Sequence, residues 1–217
     1  MPDCEPFDDG QTTGFLHTPE KGNGEGLLLT HGAGSNCQAP LLVAIAQVFQ
    51  SAGYHVLRCD LAFRQRRKSG PPHPSHAASD RDSLRAALAA IKRLASGPVS
   101  MGGHSYGGRQ ASMLASEHPT LASRLLLLSY PLHPPGKPDQ LRTAHWPHIQ
   151  TPALFVSGDA DPFGTIAEMK TALKNLAAPH SLSIIEGAGH DLKRGKFDIA
   201  ARVLQPFAEL ARLATAQ

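Results

Sequence analysis

The chain has 217 residues, 41% of them apolar and 18% charged, with a formal net charge of +3. That length supports one medium domain with a substantial core, and that balance excludes a disordered chain. The charge is too small to imply nucleic acid, and no apolar run approaches the ~20 residues of a membrane span, so neither is expected as a partner.

The N-terminal "MPDCEPFDDG" is acidic and lacks an apolar h-region, so no secretory signal is expected. Residues 1–14 read as a poorly ordered segment of a single domain spanning 1–217. "GLLLT" (26–30) reads as a buried strand, and 39–53 as a helix with Leu41, Ile45, Val48 and Phe49 on one face. "YHVLRCD" (54–60) is the next strand. Residues 79–95 repeat Leu84, Leu88 and Ile91 at helical spacing and open on a capping pattern, Ser79 with Asp82.

Strand-like "PVSMGG" (98–103) precedes a helix over 106–117. "RLLLLSY" (124–130), "PALFVSG" (152–158) and "SLSIIEG" (181–187) read as strands, with helices at 165–177 and 197–213. Solid apolar runs are strands buried on both faces. Their alternation with helices predicts an α/β domain with a mostly parallel sheet of about six or seven strands and helices on both faces. Two Pro-rich, basic insertions, 63–76 and 130–152, follow strands and are expected to rim a cleft.

Gly102, Gly103, Gly107 and Gly108 crowd around Ser105 in "SMGGHSYGGRQAS". Residues 103–107 match G-x-S-x-G between a strand and a helix, where a nucleophile elbow holds a serine hydroxyl above the sheet. A serine nucleophile needs a general base and an orienting carboxylate. Asp159 and Asp161 follow one strand and His190 the next, giving the chain order Ser, Asp, His. Tyr106 N–H would supply one oxyanion donor at the helix start. The small-residue turn His31-Gly32-Ala33-Gly34 would supply the second, with Ala33 preferred.

The segments "HGAG", "GHSYG", "SGDAD" and "GAGH" together resemble the α/β-hydrolase fold over roughly residues 15 to 212, with no large cap domain. More narrowly, "LLLTHGAG", "SYPLHPPGKP" and "LFVSGDADPFG" resemble a small hydrolase family. It includes testis-expressed protein 30 and a domain of a subunit of the NSL chromatin-regulatory complex; dienelactone-hydrolase-like proteins are more distant. The fold's usual G-x-x-D pattern puts the acid at Asp161, with Asp159 the neighbour to test. The resemblance implies a serine hydrolase of small esters, thioesters or similar acyl compounds. Its subunit member also raises an alternative, a non-catalytic scaffold that binds a protein partner.

Plainer readings stand beside these. His31 and His104 read as packing or hydrogen-bonding residues, and His73/His76 and His145/His148 as loop histidines, so no metal site is expected. No organic cofactor is expected either. Gly32-x-Gly34 with Asp60 imitates a dinucleotide fingerprint, but Cys37 occupies the third position. Cys4, Cys37 and Cys59 have neither metal nor redox spacing and read as reduced thiols of a cytoplasmic protein. Arg64, Arg66, Arg67 and Lys68 read as a solvated loop, or alternatively as a lure for an anionic substrate. Tyr130, His133 and Trp146 are placed in the substrate pocket.

Overall fold

A computed structural model describes residues 4–214. Its sheet has eight strands: β1 (Cys4–Asp8), β2 (Thr13–His17), β3 (Gly26–Thr30), β4 (His55–Cys59), β5 (Val99–His104), β6 (Leu125–Leu128), β7 (Ala153–Gly158) and β8 (His180–Ile185). They lie in the order β1-β2-β4-β3-β5-β6-β7-β8. The six from β4 to β8 run parallel to one another, β2 pairs antiparallel with β4, and β1 pairs antiparallel with β2. The helices are α1 (Pro40–Ser51), α2 (Ala62–Arg66), α3 (Ala77–Lys92), α4 (Tyr106–Glu117), α5 (Ile166–Leu173) and α6 (Gln205–Ala214).

The pleat sends alternate residues to opposite layers, so two cores form. Leu28, Met101, Leu127 and Phe155 pack with Leu84 and Leu88 of α3, Leu114 of α4 and Met169 of α5. Leu27, Leu29, Leu126 and Val156 pack with Ile45 and Phe49 of α1 and Phe207 of α6. Each such side chain, fully buried, contributes about 2 kcal/mol. An apolar run is therefore correct for a strand covered on both faces.

Two expectations need correction. Most of the segment 1–14 expected to be poorly ordered belongs to an antiparallel hairpin of residues 4–8 with 13–17, and residues 1–3 lie outside the described residues. β2 pairs with β4 in the register Leu16↔Leu57, covering an edge that would otherwise present unpaired backbone groups. That hairpin brings the strand count to eight. Ser79 does not cap α3, which begins at Ala77; the hydroxyl donates inside the helix to His76 O at 2.9 Å.

The chain leaves β3 toward β4 on one side, then crosses back to β5 on the other. The loops after β3 and β5 thus diverge at the sheet's switch point, which opens a crevice at the carboxyl edge. Gly32–Gly34 and Ser105 sit in those two loops.

Candidate active site

Ser105 stands between β5 and α4 with φ 52° and ψ −116°, a left-handed backbone rare for a residue with a side chain. Such a conformation costs about 1–3 kcal/mol and persists only where the surroundings impose it. Here the Ser105 N–H donates to Leu128 O at 2.8 Å, and its carbonyl accepts from Arg109 N–H at 3.0 Å. The glycines answer a steric demand. A Cβ at Gly103 would fall 2.5 Å from Thr30 O, and one at Gly107 would fall 2.5 Å from His31 O. The turn can press against β3 only because both lack one.

His190 follows β8, and its Nε2 lies 2.8 Å from Ser105 Oγ. Its Nδ1 lies 3.0 and 2.9 Å from the two carboxylate oxygens of Asp161, so Nδ1 carries the ring proton and Ser105 Oγ–H donates to Nε2. Asp161 is 6% exposed and also accepts the Phe163 N–H at 2.9 Å. Asp159 points elsewhere, accepting the Gly187 N–H at 2.7 Å. Two further contacts hold the imidazole. Phe163 stacks on it, with ring centroids 4.1 Å apart. His104, whose pKa burial pushes down to about 4, donates Nε2–H to the His190 carbonyl at 2.7 Å.

The loop after β3 is pinned as firmly. Leu61 N–H donates to His31 Nε2 at 3.1 Å, so the proton sits on Nδ1, which donates to Gly32 O at 2.8 Å. Asp60 Oδ1 stands farther from Nε2, at 3.4 Å. Burial lowers the His31 pKa and keeps the ring neutral. The bond to Gly32 O fixes the Gly32–Ala33 peptide plane and hence the direction of the Ala33 N–H. Arg64 then donates to Ser35 O at 2.8 Å and to Ala33 O, Gly70 O and Arg67 O at 3.1 Å. Tyr106 is the first residue of α4, where amide N–H groups have no partner within the helix.

Residues 23–209 match the alpha/beta hydrolase domain family. The chain belongs to that family. Solved structures of the same fold include a dienelactone hydrolase from Anabaena variabilis, at 23% identity with a TM-score of 0.67 over 100% of this chain and 95% of that one. TT1662 from Thermus thermophilus superposes with a TM-score of 0.70 at 21% identity, over 98% and 97% of the two chains. XC6422 from Xanthomonas campestris, described as an α/β serine hydrolase without lid, gives 0.68 at 16% identity over 99% and 94%. At these identities the likeness is one of fold.

In this alpha/beta hydrolase the crevice opens into a cleft of about 510 Å³ that includes Ala33, Ser105, Tyr106, Arg109, Arg142 and Phe163, with Pro71–Pro74 on its rim. Both insertions expected to rim the cleft contribute to it. Tyr130, His133 and Trp146 do not. Tyr130 and Trp146 are 2% and 0% exposed and pack with Phe155, because large aromatic side chains fill the layer beneath the loop. His133 is buried too, donating Nδ1–H to Pro134 O at 2.8 Å. The basic cluster divides: Arg66, Arg67 and Lys68 are exposed, whereas Arg64 is buried on four carbonyls and attracts nothing from solvent.

Phe163, Arg109 and Arg142 of the cleft, and the bracing of the β3 loop by Arg64, are what sequence reasoning missed. Phe163 had a signal, being an aromatic residue two positions after Asp161 in the same turn. Among the described residues, no group of three His, Cys, Asp or Glu side chains is placed to hold a metal ion. No described helix is long and apolar enough to cross a membrane. Cys37 lies beside the β3 loop, but burial and Asp60 push its thiol pKa up to about 12, which leaves it a poor nucleophile.

Proposed function

We propose that this alpha/beta hydrolase cleaves a small ester, thioester or similar acyl compound through an acyl-enzyme on Ser105. The observation that carries the reading is the hydrogen-bonded path from Asp161 through His190 to Ser105 Oγ, at 2.9 and 2.8 Å, opening on the cleft. As Oγ attacks the acyl carbon, its proton passes to His190 Nε2. Asp161 holds the tautomer and stabilises the imidazolium. The amides of Ala33 and Tyr106 receive the developing oxyanion, and loss of one such donor costs about 3 kcal/mol. His190 returns the proton to the leaving group, then draws one from a water whose oxygen attacks the acyl carbon; the acyl–Oγ bond breaks and Oγ takes that proton back from Nε2. These steps require no metal or organic cofactor.

The segments "LLLTHGAG" and "SYPLHPPGKP" further support placing the chain beside testis-expressed protein 30 and the NSL-subunit domain. The three free cysteines fit a reducing compartment, and we take the cytoplasm as its location. Purified protein should hydrolyse 4-nitrophenyl acetate and butyrate with a burst of nitrophenol, and Ser105→Ala should lower kcat/KM at least about 10³-fold. Wild-type protein inert toward both esters would favour the partner-binding scaffold instead.

A further inference from the structure

Taking Ser105 as the nucleophile, we propose that Arg109 and Arg142 form an anion-recognition site, so that the substrate carries a carboxylate or phosphate group remote from the scissile acyl bond. Ser105, Tyr106, Arg109, Gln110 and Met113 all face the cleft, a spacing of one, four, five and eight residues that puts one side of α4 along its length. At 1.5 Å per residue, Arg109 lies about 6 Å and Met113 about 12 Å along the axis from Ser105. Arg109 thus stands one helical turn from Ser105 on the same cleft wall, a separation that a chain of roughly five carbons spans.

Two arginines line this cleft and no aspartate or glutamate does. Several other guanidiniums are matched: Arg81 meets Glu117 at 3.1 Å, Arg93 meets Asp9 at 2.9 Å, and Arg64 has its four carbonyls. Among the described residues, Arg109 and Arg142 make no salt bridge and no side-chain hydrogen bond, and Arg109 Nε is buried without a partner. The nearby carboxylate of Asp80 is fully buried and committed to the Phe63 N–H and the Tyr106 O–H, at 2.9 and 2.8 Å. Burial and the charge of Arg109 also lower the proton affinity of Arg142.

Two like charges partly withdrawn from water, with no counter-ion, are unfavourable unless a ligand supplies one. The guanidinium fork suits the paired oxygens of a carboxylate or phosphate. The backbone that presents Arg142 is fixed, since its N–H donates to Leu132 O at 2.8 Å and its carbonyl accepts the Tyr130 hydroxyl at 2.6 Å. The site is thus preformed, and its charge is unspent.

Mono-4-nitrophenyl adipate and 4-nitrophenyl hexanoate present the same acyl chain with and without a terminal carboxylate. The wild-type protein should favour the adipate ester by about tenfold or more in kcat/KM, mainly through KM, and added salt should shrink that preference. Arg109→Met and the charge reversal Arg142→Glu, in the half-buried loop, should each cut the ratio at least about fivefold. Equal kcat/KM values for the two esters, or a ratio unchanged in both variants, would overturn the proposal.

Calorimetry on Ser105→Ala reads the site without turnover. Adipate or inorganic phosphate should bind and lose that binding in the Arg142→Glu background, and which one binds separates carboxylate from phosphate. Absence of heat from both would overturn the proposal. Anion binding without ester cleavage would instead refute the nucleophile and leave the arginine site standing.

Discussion

Around Ser105 the side chains are held by partners on several sides, whereas among the described residues the guanidiniums of Arg109, one turn farther along α4, and of Arg142, in the loop after β6, have none. Beside Ser105, at what we call the floor of the site, His190 is fixed by Asp161, by His104 through its carbonyl and by Phe163 through its ring. The loop of Ala33 is tied down by His31 and Arg64. On the proposed mechanism bond-making tolerates little misplacement, which agrees with groups this closely held and with the strain at Ser105. The rim keeps unpaired charge, available to a ligand. On the proposed reading, the reacting groups and the anion site lie side by side, with α4 supplying Tyr106 and Arg109 and the loop after β6 supplying Arg142.

The largest expected effects lie at the floor. Asp161→Asn should lower kcat for 4-nitrophenyl butyrate by about 10³-fold or more, because the amide favours the wrong imidazole tautomer. Asp159→Asn should change it less than about threefold, since that carboxylate serves only the Gly187 turn. Steady-state kinetics of the pair would break the comparison if the two losses were alike.

Arg64→Met comes next. Removing the cation leaves the carbonyls of Ala33 and Ser35 without their donor, so kcat should fall about tenfold through a displaced Ala33 N–H. The melting temperature should also drop by roughly 5 °C. Unchanged kinetics together with the lost stability would reduce Arg64 to a structural role. Phe163→Ala, which strips the stacked ring from His190, should cost about fivefold in kcat/KM.

The smallest effect is on stability. Burial pushes the pKa of both His104 and His145 down to about 4, with the positive charges of Arg109 and Arg81 contributing at His145. In the unfolded chain a histidine binds its proton near 6.5, so between about pH 6.5 and 4 the unfolded state takes up more protons. The stabilising neutral form is fully effective above that window and lost as pH falls through it. The melting temperature should be lower at pH 4.5 than at pH 7.5 by about 4 °C or more, and His104→Gln should flatten the dependence.

Legibility followed the same division. β3, β6 and β7 announce themselves because a strand covered on both faces must be apolar at every position. The elbow is legible because backbone contacts at Gly103 and Gly107 leave no room for a Cβ. The β1–β2 hairpin is not, since it is an edge whose exposed residues, as in "CEPFD", carry no apolar pattern; β4 supplies its reason to pair. Arg64 looks like its charged neighbours, and only the three-dimensional turn of α2 buries it. Tyr130 and Trp146 misled for the opposite reason, as aromatic residues in a loop can fill the layer below a cleft instead of facing it.

The most direct measurement is mass spectrometry of the protein after reaction with a fluorophosphonate. One adduct on Ser105 is expected in the wild type, absent from Ser105→Ala and formed far more slowly by His190→Ala. An adduct on another residue, or labelling of Ser105 at the wild-type rate once the imidazole is gone, would contradict the account.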